Sequence, residues 1–226
     1  MTKREDVADA HLRVLLADFK DFVNEYDRRN PFDRSGQLSG HVRTIKLRRE
    51  AGSAAAALED GRFRSSLYET LQAWGIGRRG SKMVTRSEFD GILLAREDAI
   101  TGLDDVAIGT PEAVATREAL WTLISTLGIV ENDALLVAHT KALHHILPDL
   151  VVPMDRAYTR PFLGWHGTQF QYQQEEVFRD AFRRFNRIAR EARPETLVGK
   201  GWRSSATKVI DNAIVGFVLA EGVKVT

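Results

Sequence analysis

Residues 137–163, VAHTKALHHILPDLVVPMDRAYTRPFL, hold the side chains best suited to chemistry. Lys141 is followed by His144 and His145 at i+3 and i+4, which on a helix puts all three on one face. Such neighbours either lower the pKa of the amine or line a surface with it. Asp155 follows Pro153-Met154, where a new helix is expected to open. A carboxylate at a helix start caps free backbone N–H groups, and those groups and the helix dipole keep it ionised. The histidines also raise the question of a metal, because His139, His144, His145 and His166 fall close together. His139 shares a face with Leu136 and Leu143, which makes it a core histidine. His144 and His145 lie at i+5 and i+6 from it, and no H-x-x-x-H or H-E-x-x-H spacing occurs. No metal site and no cofactor is expected.

The elements that must position these groups read as helices. Ala8, Leu12, Leu15, Phe19 and Phe22 form one apolar stripe, and Leu67, Leu71 and Trp74 begin another. Phe89, Ile92 and Leu93 follow Thr85 and Glu88, a capping box. Leu120, Leu123, Ile124 and Leu127 come next, and the helix bearing Lys141 runs to about Leu147, stopped by Pro148. Val177, Ala181, Phe182, Phe185, Ile188 and Ala189 make the cleanest stripe; Ile210, Ile214, Phe217 and Val218 make the last, with Gly222 as its stop. Only 150–152 and 223–225 read as extended, and 164–175 reads as a surface loop. The expected fold is all-α, a single helical domain over 1–226 divisible into lobes 1–110 and 111–226.

Composition narrows the field. The chain has 226 residues, 43% hydrophobic and 28% charged, which is ordinary globular composition. It has no cysteine, hence no disulfide, no Cys-ligated metal and no thiol nucleophile. No secretory segment or run of about 18 apolar residues is evident, so a soluble, cytoplasmic protein without a membrane or obligate protein partner is expected. The net charge of +1 hides an asymmetry: residues 61–86 carry +5, residues 87–155 carry −9 and residues 156–226 carry +5. Folding can bring the two basic regions onto one face or scatter them as solvated charge.

The segment around Lys141 and Asp155 resembles the helix-hairpin-helix DNA glycosylase superfamily. In that family a Lys-bearing helix leads to a short apolar segment, then to a Pro-x-Asp whose Asp is the essential carboxylate, then to a helix with basic residues. Thr140, Lys141, Ala142, the run 150–152, Pro153, Asp155, Tyr158 and Arg160 stand in matching order. The family's Gly-rich hairpin has no counterpart in 129–140; a Gly-rich basic loop occurs earlier, at 74–82. The resemblance implies a helix-hairpin-helix glycosylase-like fold, DNA as partner and excision of a damaged or modified base, in repair or in defence against modified foreign DNA.

Breaking an N-glycosidic bond develops positive charge on the sugar, which an ionised carboxylate stabilises while it orients a water. Asp155 fits that role. Lys141 can attack the sugar carbon and form a Schiff base, or can bind phosphate or support structure. A base drawn out of the duplex needs flat side chains, and Trp74 and Tyr158 are the chosen platforms, with Trp165 and Trp202 also available. Arg78, Arg79 and Lys82 in the glycine loop, Arg156 and Arg160 after Asp155, and Lys208 near Trp202 are candidate nucleic-acid contacts. Arg179, Arg183, Arg187 and Arg190 form a basic stripe that reads better as a solvated face. Two other readings stay open: a non-catalytic helical nucleic-acid-binding or regulatory protein, and an RNA-directed enzyme or toxin using His144 and His145. Phosphate-loop and nucleophile-elbow motifs are absent, and Gly75-Ile76-Gly77-Arg78-Arg79-Gly80 spells the dinucleotide pattern but follows a helix rather than a strand.

Overall fold

The structure, a computed structural model, describes residues 3–32, 34, 36–77, 82–132 and 135–223. Arg78 and Arg79 lie outside the described residues, as does most of the expected extended segment 223–225. The described chain is all-α, with fourteen α-helices and no strand; Met83 and Val130 form an isolated bridge. The first seven helices are α1 (Lys3–Ala17), α2 (Phe19–Arg29), α3 (Gln37–Ala51), α4 (Ala54–Glu59), α5 (Gly61–Ala73), α6 (Arg86–Ala95) and α7 (Glu97–Thr101). They are followed by α8 (Pro111–Ala115), α9 (Arg117–Thr126), α10 (Leu135–Ile146), α11 (Thr159–Phe162), α12 (Gly167–Tyr172), α13 (Gln174–Ala192) and α14 (Ala206–Glu221). None of the described helices is long and apolar enough to cross a membrane.

The stripes find their partners as amphipathic helices must. Leu12, Leu15, Phe19 and Phe22 join the main core, and the Thr85–Glu88 capping box forms with both of its reciprocal bonds. On α13 the apolar side is buried, and its arginines meet carboxylates: Arg179 pairs with Glu118 and Glu175, Arg183 with Asp180, and Arg187 with Glu191. That stripe is a solvated, largely neutralised face. Two expectations need correction. Residues 167–172, inside the expected loop, form α12; with Phe170 as its only buried large side chain, so short a helix shows no period. The helix expected to open at Asp155 is a turn over 156–158 leading into the four residues of α11.

Two helices set the site. Every residue of α10 from Ala138 to Ile146 is buried, so its polar side chains must find partners inside the protein. The last helix, α14, is buried from Thr207 to Val218 and lies along α2. Gly216 permits that packing, because a Cβ there would overlap the Phe22 carbonyl oxygen and stand 2.8 Å from the carbonyl carbon. Backbone on backbone leaves nothing to rotate away. Gly216→Ala is therefore expected to destabilise by about 3 kcal/mol, read as a lower urea midpoint with an unchanged slope. A midpoint equal to wild type would mean that the two helices separate at little cost.

Candidate active site

Lys141 projects from α10 and donates from Nζ to Asp155 Oδ2 at 2.9 Å. The loop that presents Asp155 is pinned from the same helix: Thr140 Oγ1 accepts the Met154 N–H at 3.1 Å. Asp155 then makes its own turn, with Oδ1 accepting the Ala157 N–H at 2.7 Å and its N–H donating to Thr159 Oγ1 at 2.9 Å. The carboxylate thus caps as expected, although the helix it leads into is short. Burial alone would push its pKa up; the Lys141 ammonium, the Ala157 N–H and the Lys208 ammonium outweigh burial and hold it below its ordinary value. Asp155 is an anion at neutral pH.

The ion pair lines a small cleft of about 50 Å³ that opens to solvent, below the roughly 300–1,000 Å³ of small-ligand pockets, so a planar ligand must part its walls to enter. Phe32, Trp74 and Trp202 give it aromatic wall, and Pro153 and Met154 lie beside Asp155. Trp74 and Trp202 stand 5.9 Å apart between ring centres, tilted by 48°, and Phe32 meets Trp202 at 6.2 Å. The rings therefore form one angled surface. A planar ligand would stack on it, since the two indoles leave no slot between them.

A second ion pair joins the first. Lys208 Nζ donates to Asp211 Oδ2 at 2.7 Å and also lies 5.0 Å from the ring centres of Tyr26 and Trp202. Burial drives both partners toward their neutral forms: it lowers the Lys208 ammonium and raises the Asp211 carboxyl, while their mutual attraction resists. Gln37, at the start of α3, also lines the cleft, and its buried Oε1 has no hydrogen-bond partner.

Behind the aromatic wall, the rings of His41, His144 and His145 pack together, and a hydrogen bond links His41 to His145. His145 Nδ1 faces the Lys141 carbonyl at 2.8 Å, so it carries the proton and leaves Nε2 as an acceptor. His41 Nδ1 then donates to His145 Nε2 at 3.0 Å, and His41 Nε2 accepts from Ser204 Oγ at 2.8 Å. This direction is the one that neutral imidazoles allow, and burial keeps them neutral: His145 falls to about 4, and His41 and His144 fall well below 6.5. His41 stacks on both Trp74 and Trp202 with ring centres 5.4 and 5.2 Å away. The cluster fixes the wall from behind.

The expected site residues separate accordingly. Lys141, Asp155 and Trp74 come together in the cleft. Lys208 also arrives there, but not as the surface phosphate contact expected of it: it is 1% exposed, because α14 is enclosed on all sides. Tyr158 stands edge-on to Phe32 at 5.8 Å and is half-buried, beside the cleft lining. Lys82 is exposed and bound to Glu131 at 2.7 Å. Arg156 is exposed and Arg160 half-buried. Trp165 is no platform: it is buried, with Arg4 over its ring at 4.0 Å. His144 and His145 are fully buried, so they offer no face to DNA or RNA. His139 is a core residue bonded to the Ile124 carbonyl, and no His/Asp/Glu group suited to a metal ion occurs among the described residues.

Sequence reasoning missed Phe32, Gln37, His41 and Asp211. A signal existed for Asp211: Lys208, Asp211 and Asn212 sit at i, i+3 and i+4 in an otherwise apolar helix, the spacing of an internally paired lysine. Comparison of the chain with protein-family models, curated proteins and solved structures finds no match.

Proposed function

We propose that this protein is a DNA glycosylase of helix-hairpin-helix glycosylase-like fold, which excises a damaged or modified base by hydrolysing its N-glycosidic bond. The observation that carries the reading is the Lys141–Asp155 pair at one side of an aromatic cleft. A base drawn from the duplex stacks on the Trp74–Trp202 surface, which brings its sugar to Asp155. As the C1′–N bond breaks, its electron pair leaves with the base and positive charge grows on the sugar, where the Asp155 carboxylate stabilises it. Water then adds at C1′, and its proton passes by way of the Asp155 carboxylate to the departed base. Lys141 holds the carboxylate in place; in the alternative route its ammonium gives a proton to the departing base and the free amine attacks C1′ as the C1′–N bond breaks.

The test incubates the protein with duplexes carrying damaged and naturally modified bases, followed by hot alkali to cut abasic sites. Cutting that needs alkali identifies a hydrolytic glycosylase and its base; cutting without alkali, trapped by borohydride, makes Lys141 the nucleophile. A second reading rests on the hydrogen bonds of Asp155. Both of its oxygens already accept a bond from the protein, as in a binding protein that keeps the grip of the fold without its chemistry. That reading predicts bound DNA and no base release from any duplex.

A further inference from the structure

Arg156 and Arg160 follow Asp155 by one and five residues, and the turn over 156–158 folds them toward one another. Their guanidinium groups converge on Gly167: a Cβ there would stand 2.8 Å from Arg160 Nη1 and 3.6 Å from Arg156 Nη2. Arg160 Nε donates to the Arg156 carbonyl at 3.3 Å, which fixes the second arginine against the backbone of the first. Neither guanidinium forms an ion pair with a carboxylate among the described residues. Asp155, the nearest acid in sequence, is turned to Lys141 and the Ala157 N–H.

Half-buried Arg160, beside exposed Arg156 and with no carboxylate partner among the described residues, is unusual in a chain whose other described buried and half-buried arginines find carboxylates, as Arg48, Arg184 and Arg203 do. The crowding is felt: burial and the charge of Arg156 lower the pKa of Arg160. An anion between the two would remove the repulsion. Planar guanidinium forks match the oxygens of a phosphate, each donating two N–H bonds. Asp155 and Arg156 are consecutive in the chain, and a nucleotide sugar meeting Asp155 would carry a phosphate on each side.

We infer that Arg156 and Arg160 form a clamp for one nucleic-acid phosphodiester, adjoining the sugar that meets Asp155. The inference rests on the glycosylase reading for the placement of the sugar. The clamp itself requires only that nucleic acid binds this face.

The experiment measures binding of a fluorescein-labelled duplex with a tetrahydrofuran abasic analogue, by anisotropy, between 50 and 200 mM NaCl. Wild type, R156Q, R160Q and the double variant are compared, with R187Q as a control whose arginine is paired and exposed. Circular dichroism verifies that each variant is folded. Each phosphate neutralised contributes about 0.9 to the slope of log affinity against log salt. A shared phosphate predicts a slope lower by about 0.9 in the double variant, affinity about tenfold weaker at 100 mM, and single variants in between. The control should match wild type. A fall of about 1.8 would mean two separate phosphates and overturn the clamp, as would an unchanged slope or no DNA binding by wild type. Base release, measured separately on the duplex panel, distinguishes the two failures. Excision with an unchanged slope removes the clamp alone, whereas an arginine-dependent slope without excision removes the glycosylase reading alone.

Discussion

Asp155→Asn is expected to lower base release by 10²- to 10³-fold or more, while affinity for the same duplex changes less than threefold. Removing one group that stabilises charge only in the transition state costs a factor of that order. Asparagine keeps the shape and can still accept the Ala157 N–H, so the loop should hold its course. It cannot neutralise Lys141, whose side chain is 11% exposed. Breaking a buried pair from one side costs about 3–5 kcal/mol; the partial exposure of this pair reduces the expected loss to about 1–3 kcal/mol. Adding Lys141→Met to Asp155→Asn should restore most of that stability and none of the base release. Chemistry and folding are thereby separated. Base release at the wild-type rate by D155N would remove the carboxylate from the mechanism.

Acid should begin to destabilise the protein well above the pH at which its carboxylates titrate. Four histidines, His41, His139, His144 and His145, are buried and neutral, and His139 and His145 are held at about 4 against an ordinary 6.5. Between those values the unfolded chain takes up protons that the folded chain refuses. Stability is thus complete above 6.5 and falls as pH drops through the window. By pH 5, His139 and His145 should each have cost on the order of 2 kcal/mol, and His41 and His144 act in the same direction. Asp155, lowered by its partners, adds to the loss at lower pH, whereas the raised Asp211 carboxyl opposes it. Several kcal/mol is a large share of the 5–15 kcal/mol of a typical domain. Urea midpoints should hold from pH 7.5 to about pH 6.5 and fall steadily from there to pH 5, with global unfolding between pH 5 and pH 4. A flat profile over that range would show that the imidazoles reach water in the folded state.

Sequence patterns carried the long elements well. Stripes such as Val177–Ile188 and Leu120–Ile124 are buried on one side only, so a period survives in the residue types. The patterns failed where an element was short or wholly enclosed. The six residues of α12 complete fewer than two turns. In α14 the polar members Lys208, Asp211 and Asn212 lie inside, where a basic residue before an apolar run reads as surface. Within the site, Lys141 and Asp155 were readable because 14 residues of one segment contain both. Gln37 and His41 lie about a hundred residues from the groups they approach, and only packing brings them there.

The pairing of α14 with α2 also fixes an order of assembly. Phe32, Gln37 and Trp74 come early in the chain, Lys141 and Asp155 in its middle, and Trp202, Lys208 and Asp211 near its end. During synthesis the Lys141–Asp155 pair can meet as soon as α10 and its following loop are free to fold. The aromatic surface must wait for Trp202, and Lys208 for α14 to dock through Gly216. Contacts of such long sequence separation close late and slowly. A nascent chain therefore carries the charged pair before it has anywhere to hold a ligand, and the last helix to fold completes the cleft.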